Sequence, residues 1–487
     1  MKKFLVTVLI VLLIGTVFTA CGSDNNNADG EESPTPAPAL SGAENENGAA
    51  TEAEAGSRVD DLGEFDFKGY EFKIANRVNS NFSNSFYDFE ELTGEPYEDA
   101  VFMRNRAIED RFNVKISVLR AETPDLIGRM VRSGVNDYDV YTIRNAEMFS
   151  YATEGLINSI NDLPHIDLSK TYWDDFITDQ LSMAGKKYFA VGEFDISSYD
   201  FAYVLVFNKQ LMQDYGIESP YVSVKEGKWT LDKFAEMAKT GTLDLDGDNK
   251  MTDKDAWGYA ARSNDVLPGF WVGAGVTGAT KDEDDIPMNT MGSEMFINAI
   301  DKIFDVVHGN NIYYNAFEKT MFINGSILFN DVNLFQLKWL RAMETDFGIL
   351  PYPKYNENQK NYYTRVGGNI LFGTMKIASG EDLLRTSVIL EAMASGSLDA
   401  CVPAYYDNML KTKLARDVDS EEILDSIVAH RVVDFIDNIW VDELRDGVLN
   451  TMFTSKNNNL VSRLERMEGI FDIKRNNMIE AFLALDN

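Results

Sequence analysis

Cysteine is almost missing from this chain of 487 residues, which has only Cys21 and Cys401. Two cysteines cannot make a disulfide framework, so the folded parts must stand on packed cores, which this length allows. Histidine is as scarce. His165, His308 and His430 lie far apart with no paired spacing, which argues against zinc and leaves them as surface or capping residues. Positive charge is in deficit: 45 Lys and Arg face 78 Asp and Glu, for a net charge of −33. That balance excludes a nucleic-acid surface and suits a neutral or cationic ligand. No GxSxG elbow and no GxxxxGK[ST] loop is present. Residues 22–64 contain no aromatic side chain and are rich in Asn, Asp, Glu, Gly, Ala, Ser and Pro; such a segment buries too little surface to order itself and reads as a tether.

What precedes the tether reads as an address. Lys2 and Lys3 lead into an apolar run over residues 4–17, short for the ~20 residues of a membrane span. "FTAC" at 18–21 follows. This resembles a bacterial lipoprotein signal, in which Cys21 becomes the lipidated first residue of the mature chain. Phe18 stands where Leu is usual. Cys401, then alone, reads as a small buried apolar residue.

Beyond residue 64 strands and helices alternate. "YEFKIA" (70–75), "VKISVL" (114–119) and "DYDVYTI" (137–143) have strand character, with helical spacing over 98–112 and 125–134 between them. This predicts a parallel sheet covered on both faces, with ligands at the carboxyl ends of the strands: residues 76–81, and Arg144 with Asn145. "FAYVLVFN" (201–208) is a further strand. "KWTLDKFAEMAKTG" (228–241) is a helix with Thr230 as its N-cap and Gly241 as its stop. Past residue 380 the pattern is mainly helical, as in 381–394 and 420–440.

Several stretches together, "RNRAIEDRFNVKI" (104–116), "NDYDVY" (136–141), "EGLINSINDLPHIDLSKTYW" (154–173), "GKKYFAVGEF" (185–194), "VLVFNKQLMQDYG" (204–216) and "GKWTLDKF" (227–234), resemble the extracellular solute-binding proteins of bacterial ABC importers, in particular those for sugars and oligosaccharides. "FINGSILFND" (322–331) with "DFGILPYPK" (346–354) is similar to that family's return to its first lobe. The resemblance implies an α/β periplasmic-binding-protein-like fold of two lobes joined by a hinge that closes on ligand. The implied layout is a signal peptide at 1–20, a lipidated tether at 21–64, an N-terminal lobe of 65–195 plus 320–362, and a C-terminal lobe of 196–319 plus 363–487. The implied function is a monomeric, lipid-anchored binder on the outer face of the cell membrane, not an enzyme. It would capture a carbohydrate and hand it to ABC permease subunits. A surface glycan-active enzyme, or a sensor or adhesion lipoprotein working without a permease, remains as an alternative.

Sugars present C–H faces to aromatic planes and hydroxyls to polar side chains. The ligand-binding candidates are therefore Trp173, Trp271 and Tyr406, with Arg77, Asn81, Asn145, Glu193, Asp195, Asp331 and Arg365. Trp229 and Trp257 read as packing residues. Gly273, Gly275 and Gly278 form a GxGxxG, but "ATKDEDDIP" follows instead of a helix. The stretch reads as a flexible or cleft-lining loop in which Trp271 stacks on a sugar.

"DLDGDNKMTDKD" (244–255) matches the spacing of a calcium loop. Asp244, Asp246, Asp248, Lys250 through its carbonyl, Thr252 and Asp255 stand at its ligand positions. Asn249 stands where glycine is usual and Asp255 where a longer Glu is usual. A strand follows the loop in place of a second helix, and the loop has no partner loop. The expectation is a structural Ca²⁺ clip and not a sensor.

Overall fold

In β1 (Tyr70–Arg77) Phe72 and Ile74 bury on one face and Ala75 on the other. The first two join Phe112, Ile116 and Val140 in one core; Ala75 joins Ile127, Val131, Tyr141 and Ile143 in a second. This period-2 alternation puts a helix on each face of the sheet. Helix α1 (Pro96–Phe112) carries the chain to β2 (Val114–Ala121), and α2 (Pro124–Ser133) carries it to β3 (Val140–Arg144), from which α3 (Asn145–Thr153) leaves. Both β2 and β3 pair with β1 in parallel. Proline in the first turn and a left-handed Asn113 or Gly134 just past the end set the bounds of α1 and α2. This computed structural model describes residues 60–78, 87–121, 123–316 and 319–485. The expected signal peptide, Cys21 and residue Asn81 lie outside the described residues. Asp60, before the expected boundary at 65, is already tied to the first lobe: Arg111 donates to both of its carboxylate oxygens, at 2.9 and 2.8 Å.

The second lobe is a five-stranded sheet in the order β10-β4-β9-β5-β8, made from β4 (Tyr203–Asn208), β5 (Trp257–Ala261), β8 (Tyr313–Asn315), β9 (Ile327–Asn333) and β10 (Phe347–Leu350). A separate antiparallel hairpin is formed by β6 (Ala279–Lys281) and β7 (Pro287–Asn289). The expected lobe boundaries need correction here. The segment 320–362 does not rejoin the first lobe, because β9 lies between β4 and β5 and β10 pairs with β4. The return comes later: β12 (Ile370–Gly373) adds antiparallel to β3 and completes the first sheet as β12-β3-β1-β2.

The joint between the lobes is a set of crossing strands. Ala202 bridges Val366, and β11 (Thr364–Arg365) pairs in parallel with β13 (Arg431–Val432). The expected helix over 420–440 is therefore broken. It runs Val418–Ala429, stops at His430, passes through β13 and resumes as the short turn Phe435–Asn438. The final helix, Leu460–Ala484, packs Phe471 against Trp440 and seats Phe482 among Phe149, Tyr188 and Phe189 of the first lobe. Cys401 is buried as expected, and Trp229 and Trp257 pack in the core. No helix among the described residues is long and apolar enough to cross a membrane.

Candidate functional site

Parallel neighbours β1 and β3 end on Arg77 and Arg144, so both arginines stand at one edge of the first sheet. Asn145 follows and is buried. Its Nδ2 donates to Oδ1 of Asn369 and of Asn438, both at 3.0 Å, and its backbone N–H donates to the Asn369 carbonyl at 3.2 Å. Asn438 accepts the Gly368 amide at 2.7 Å and donates to the Val366 carbonyl at 3.0 Å. Asn145 thus ties the strand-end corner to two crossing segments. Arg144 lies against Gly368, whose φ is 101°; a Cβ there would come within 2.6 Å of Arg144 Nη2, so only glycine fits.

A second cluster gathers where the chain leaves the first lobe. Glu193 is half-buried and accepts from the Tyr199 hydroxyl at 3.1 and 3.2 Å. Burial, then the charge of Asp174, pushes the Glu193 carboxyl up to about 7, against the pull of Arg431 and of the Tyr199 hydroxyl. The Arg431 guanidinium covers the Tyr199 ring at 4.3 Å and donates to Asp174 at 3.0 Å and Ser198 at 2.7 Å. The sequence pointed to Glu193 but missed Tyr199, Asp174 and Arg431. Arg431 reaches the cluster from more than 200 residues away, and no local pattern signals it.

Other candidates have partners inside the fold. Trp173 is buried in the first lobe, donating its indole N–H to Glu391 at 3.0 Å and packing on Phe194 and Phe372. Trp271 is fully buried in the helix Ser263–Gly273, with its N–H on Asp434 at 3.0 Å. The expected flexible loop begins only after this helix and is pinned, since the Gly278 amide also donates to Asp434, at 2.6 Å. Neither tryptophan offers a face to a sugar. Asp195 is buried and accepts from the Tyr87 hydroxyl and, at 2.6 Å, the Ser197 amide. Asp331 is buried, accepts from the Tyr352 hydroxyl, and is raised to about 6 by burial and by the Asp265 charge. Arg365 is buried in the joint, where it holds Asp437 and Asp265. Tyr406 is half-buried, donates to Asp425 at 2.8 Å and carries Lys411 over its ring.

Between the lobes opens a mainly apolar recess of about 420 Å³, lined in part by Phe176, Gln180, Thr277, Lys281, Pro287 and Val433. A polar clasp borders it. Lys281 Nζ donates to the carbonyls of Asp179 and Ser182, at 2.5 and 2.7 Å, and Asp285 accepts from the Ser182 hydroxyl at 2.7 Å and the Gly185 amide at 3.1 Å. Among the described residues, none of the sequence-derived ligand candidates lines this recess.

In the acidic loop, one carboxylate oxygen each of Asp244, Asp246 and Asp255 lie within 4.8 Å of one another. Asn249 takes the left-handed turn with φ 63°, as its position requires. Leu243 and Ala256 close the loop with two backbone hydrogen bonds, of 2.9 and 3.1 Å. The Asp246 carboxyl lies above its usual range: the Asp248 amide pulls it down, but burial and the charges of Asp248, Asp255 and Asp244 outweigh that pull. The donor set fits a hard cation with oxygen ligands. Three of the four expected carboxylates converge; Asp248 instead accepts the Lys250 amide at 2.8 Å, and the Thr252 hydroxyl donates to Asp255 at 3.1 Å.

No protein-family model and no curated protein matches the sequence. Solved structures do match. UgpB from Mycobacterium tuberculosis in complex with glycerophosphocholine superposes with a TM-score of 0.55 at 14% identity, over 83% of this chain and 99% of that one. The cyclic alpha-maltosyl-1,6-maltose binding protein from Arthrobacter globiformis gives 0.53 at 15%, over 86% and 99%. An ABC substrate-binding protein from Listeria monocytogenes in complex with cycloalternan gives 0.51 at 14%, over 80% and 93%. The fold is the two-lobe α/β fold of solute-binding proteins.

Proposed function

We propose that this chain is a lipid-anchored binding protein that captures a carbohydrate, an oligosaccharide in the first instance, between its lobes and delivers it to ABC permease subunits. The observation that supports this most is the joint. Two α/β lobes meet at crossing strands where Ala202, β11 and β13 lie side by side, in a fold shared with proteins solved with cycloalternan or described as binding a cyclic maltosyl-maltose. Such a joint lets the lobes rotate as rigid bodies, and a ligand touching both stabilises the closed form by its differential affinity. The sequence "FTAC" ending at Cys21 and the aromatic-free stretch after it support an anchor on the outer face of the membrane, with the tether holding the binder near its transporter. The chain binds and does not cleave, and it works as a monomer.

A thermal-shift screen of the mature protein against neutral and acidic oligosaccharides tests this. A true ligand at about 100 times its Kd should add about 2.7 kcal/mol of stability. If no glycan raises the melting temperature, the carbohydrate reading fails; release of shortened products from the same panel would show an enzyme instead.

Calcium at the loop 244–255 belongs to this reading as a structural clip between the helix Leu231–Thr240 and β5. Asp244, Asp246 and Asp255 would hold it, and it would cancel their mutual repulsion. At calcium about ten times Kd the gain is about 1.4 kcal/mol. Removing calcium with chelator should therefore lower the melting temperature of the wild type and not of Asp246→Asn. Equal melting temperatures with and without chelator in the wild type would end the calcium proposal.

A further inference from the structure

The strand-end corner of the first lobe holds two arginines that have no carboxylate partner among the described residues. Arg77 and Arg144 are both half-buried, and among the described residues neither forms an ion pair or a side-chain hydrogen bond. Four other arginines differ: Arg365, Arg385, Arg431 and Arg445 each hold a carboxylate. Two further features point the same way. Arg77 Nε is enclosed with no acceptor, and so is Nδ2 of the fully buried Asn369. Asn369 is joined to this corner through Asn145. The positive end of the α3 dipole begins here too, at Asn145.

These groups are all donors or cations. An enclosed donor left unpaired costs about 1–3 kcal/mol, and a neighbouring like charge adds to that. Burial and the neighbouring Arg144 charge do lower the Arg77 guanidinium, against the pull of Glu147. Glu147, in the first turn of α3, is the carboxylate facing Arg77, yet the two form no ion pair. Beyond Glu147 a groove of about 760 Å³ runs between α2 and α3, lined by Gly128, Arg129, Arg132, Glu147, Ser150 and Tyr151.

We infer that Arg77 and Arg144 form an oxyanion-recognising subsite, and that the carbohydrate this protein captures carries a carboxylate, sulfate or phosphate group. The inference rests on the carbohydrate-binding reading and narrows it. It also reverses the expectation from net charge: a charge of −33 favours neutral or cationic ligands in bulk, but recognition is set by the groups that touch the ligand. A planar guanidinium presents two parallel N–H donors to an oxyanion, which lysine cannot do.

The test is calorimetric titration of the full-length mature protein with an oligogalacturonate, a sulfated galacto-oligosaccharide, a sugar phosphate and an uncharged galacto-oligosaccharide. It is run on the wild type, Arg77→Gln, Arg144→Gln and Arg77→Lys. At least one anionic ligand should bind about tenfold or more tighter than the uncharged one, and its affinity should fall as salt rises. Each Gln variant should lose about tenfold for that ligand, and Arg77→Lys should retain part of the affinity. Which anionic ligand binds tells carboxylate from sulfate from phosphate. If the uncharged sugar binds as well as the anionic ones, or if anionic binding ignores both salt and the Gln substitutions, this inference falls while the carbohydrate reading stands. If no sugar of either kind binds, both fall. A Gln variant that does not fold leaves the decision to the salt dependence and ligand preference of the wild type.

Discussion

Replacing Arg365 with methionine is expected to lower the unfolding free energy by about 3–5 kcal/mol, because it strips two buried carboxylates of their common partner. Arg365 lies on β11, in the joint. Its Nε and Nη2 donate to the two oxygens of Asp437 at 2.7 and 2.9 Å, and Nη1 donates to Asp265 at 2.9 Å. Its guanidinium also covers the Tyr203 ring at 4.2 Å, at the start of β4. One side chain therefore connects a crossing strand to the second lobe's helix Ser263–Gly273 and to the turn Phe435–Asn438. Burial alone would raise Asp265, but the charges of Arg365 and Arg262 overcome it and hold the carboxyl at about 2. After the substitution Asp265 keeps Arg262 and Asp437 keeps Arg445, at 3.0 and 3.3 Å. These survivors are why the cost stays within the range for a single broken buried pair. Equilibrium urea unfolding at pH 7 measures it, and a loss below about 1 kcal/mol would show that the remaining arginines compensate fully. Asp265 has a depressed carboxyl, so its stability is present above its unfolded pKa, near 3.8, and is lost only as pH falls through about 2. The wild-type contribution of Asp265 is therefore constant around neutral pH.

The joint also explains which readings the sequence could support. Period-2 strands, proline starts and left-handed stops are local, and β1, α1, β2, α2 and β3 fell where those signals put them. The lobe assignment of 320–362 failed because "SILFND" has the same strand character whichever sheet it enters. Its place was decided by pairing with β4 and β5, at a sequence distance where no periodicity carries. The two tryptophan candidates were misplaced for the same reason. Trp173 and Trp271 are buried by their contacts with Glu391 and Asp434, 218 and 163 residues away. A tryptophan able to stack on a sugar and one satisfied in a core look alike in sequence. The strand-end rule located Arg77, Arg144 and Asn145 at the carboxyl edge of the sheet, because that edge is fixed by topology alone. What it could not supply was the state of their charges, which depends on partners from other elements.

Asp434 joins the pinned loop to the joint, and its removal should cost more in acid than at alkaline pH. The carboxylate accepts from Trp271 Nε1 at 3.0 Å and the Gly278 amide at 2.6 Å on one oxygen, and from the Ile436 amide at 2.8 Å on the other. Burial pushes its carboxyl up to about 7 and the Asp437 charge adds to this, against the three N–H donors, which favour the charged form. An acid with a raised folded pKa contributes stability that is full below its unfolded value of 3.8 and is lost as pH rises through 7. Asp434→Ala leaves three enclosed donors unpaired, which sets a cost of about 3 kcal/mol that does not vary with pH. To this is added the titrating part, so the total cost at pH 5 should exceed that at pH 8 by about 2–3 kcal/mol. Glu193 and Asp331 are raised in the same direction, to about 7 and about 6. The wild-type curve alone would mix all three groups, and only the difference between variant and wild type isolates Asp434. Urea unfolding of both proteins at pH 5 and pH 8 decides the matter. An equal or larger cost at pH 8 would mean that the three N–H donors outweigh burial and that Asp434 stays ionised throughout. The loop after Trp271 would then be held by a permanent charge, and not by a carboxyl that titrates near neutrality.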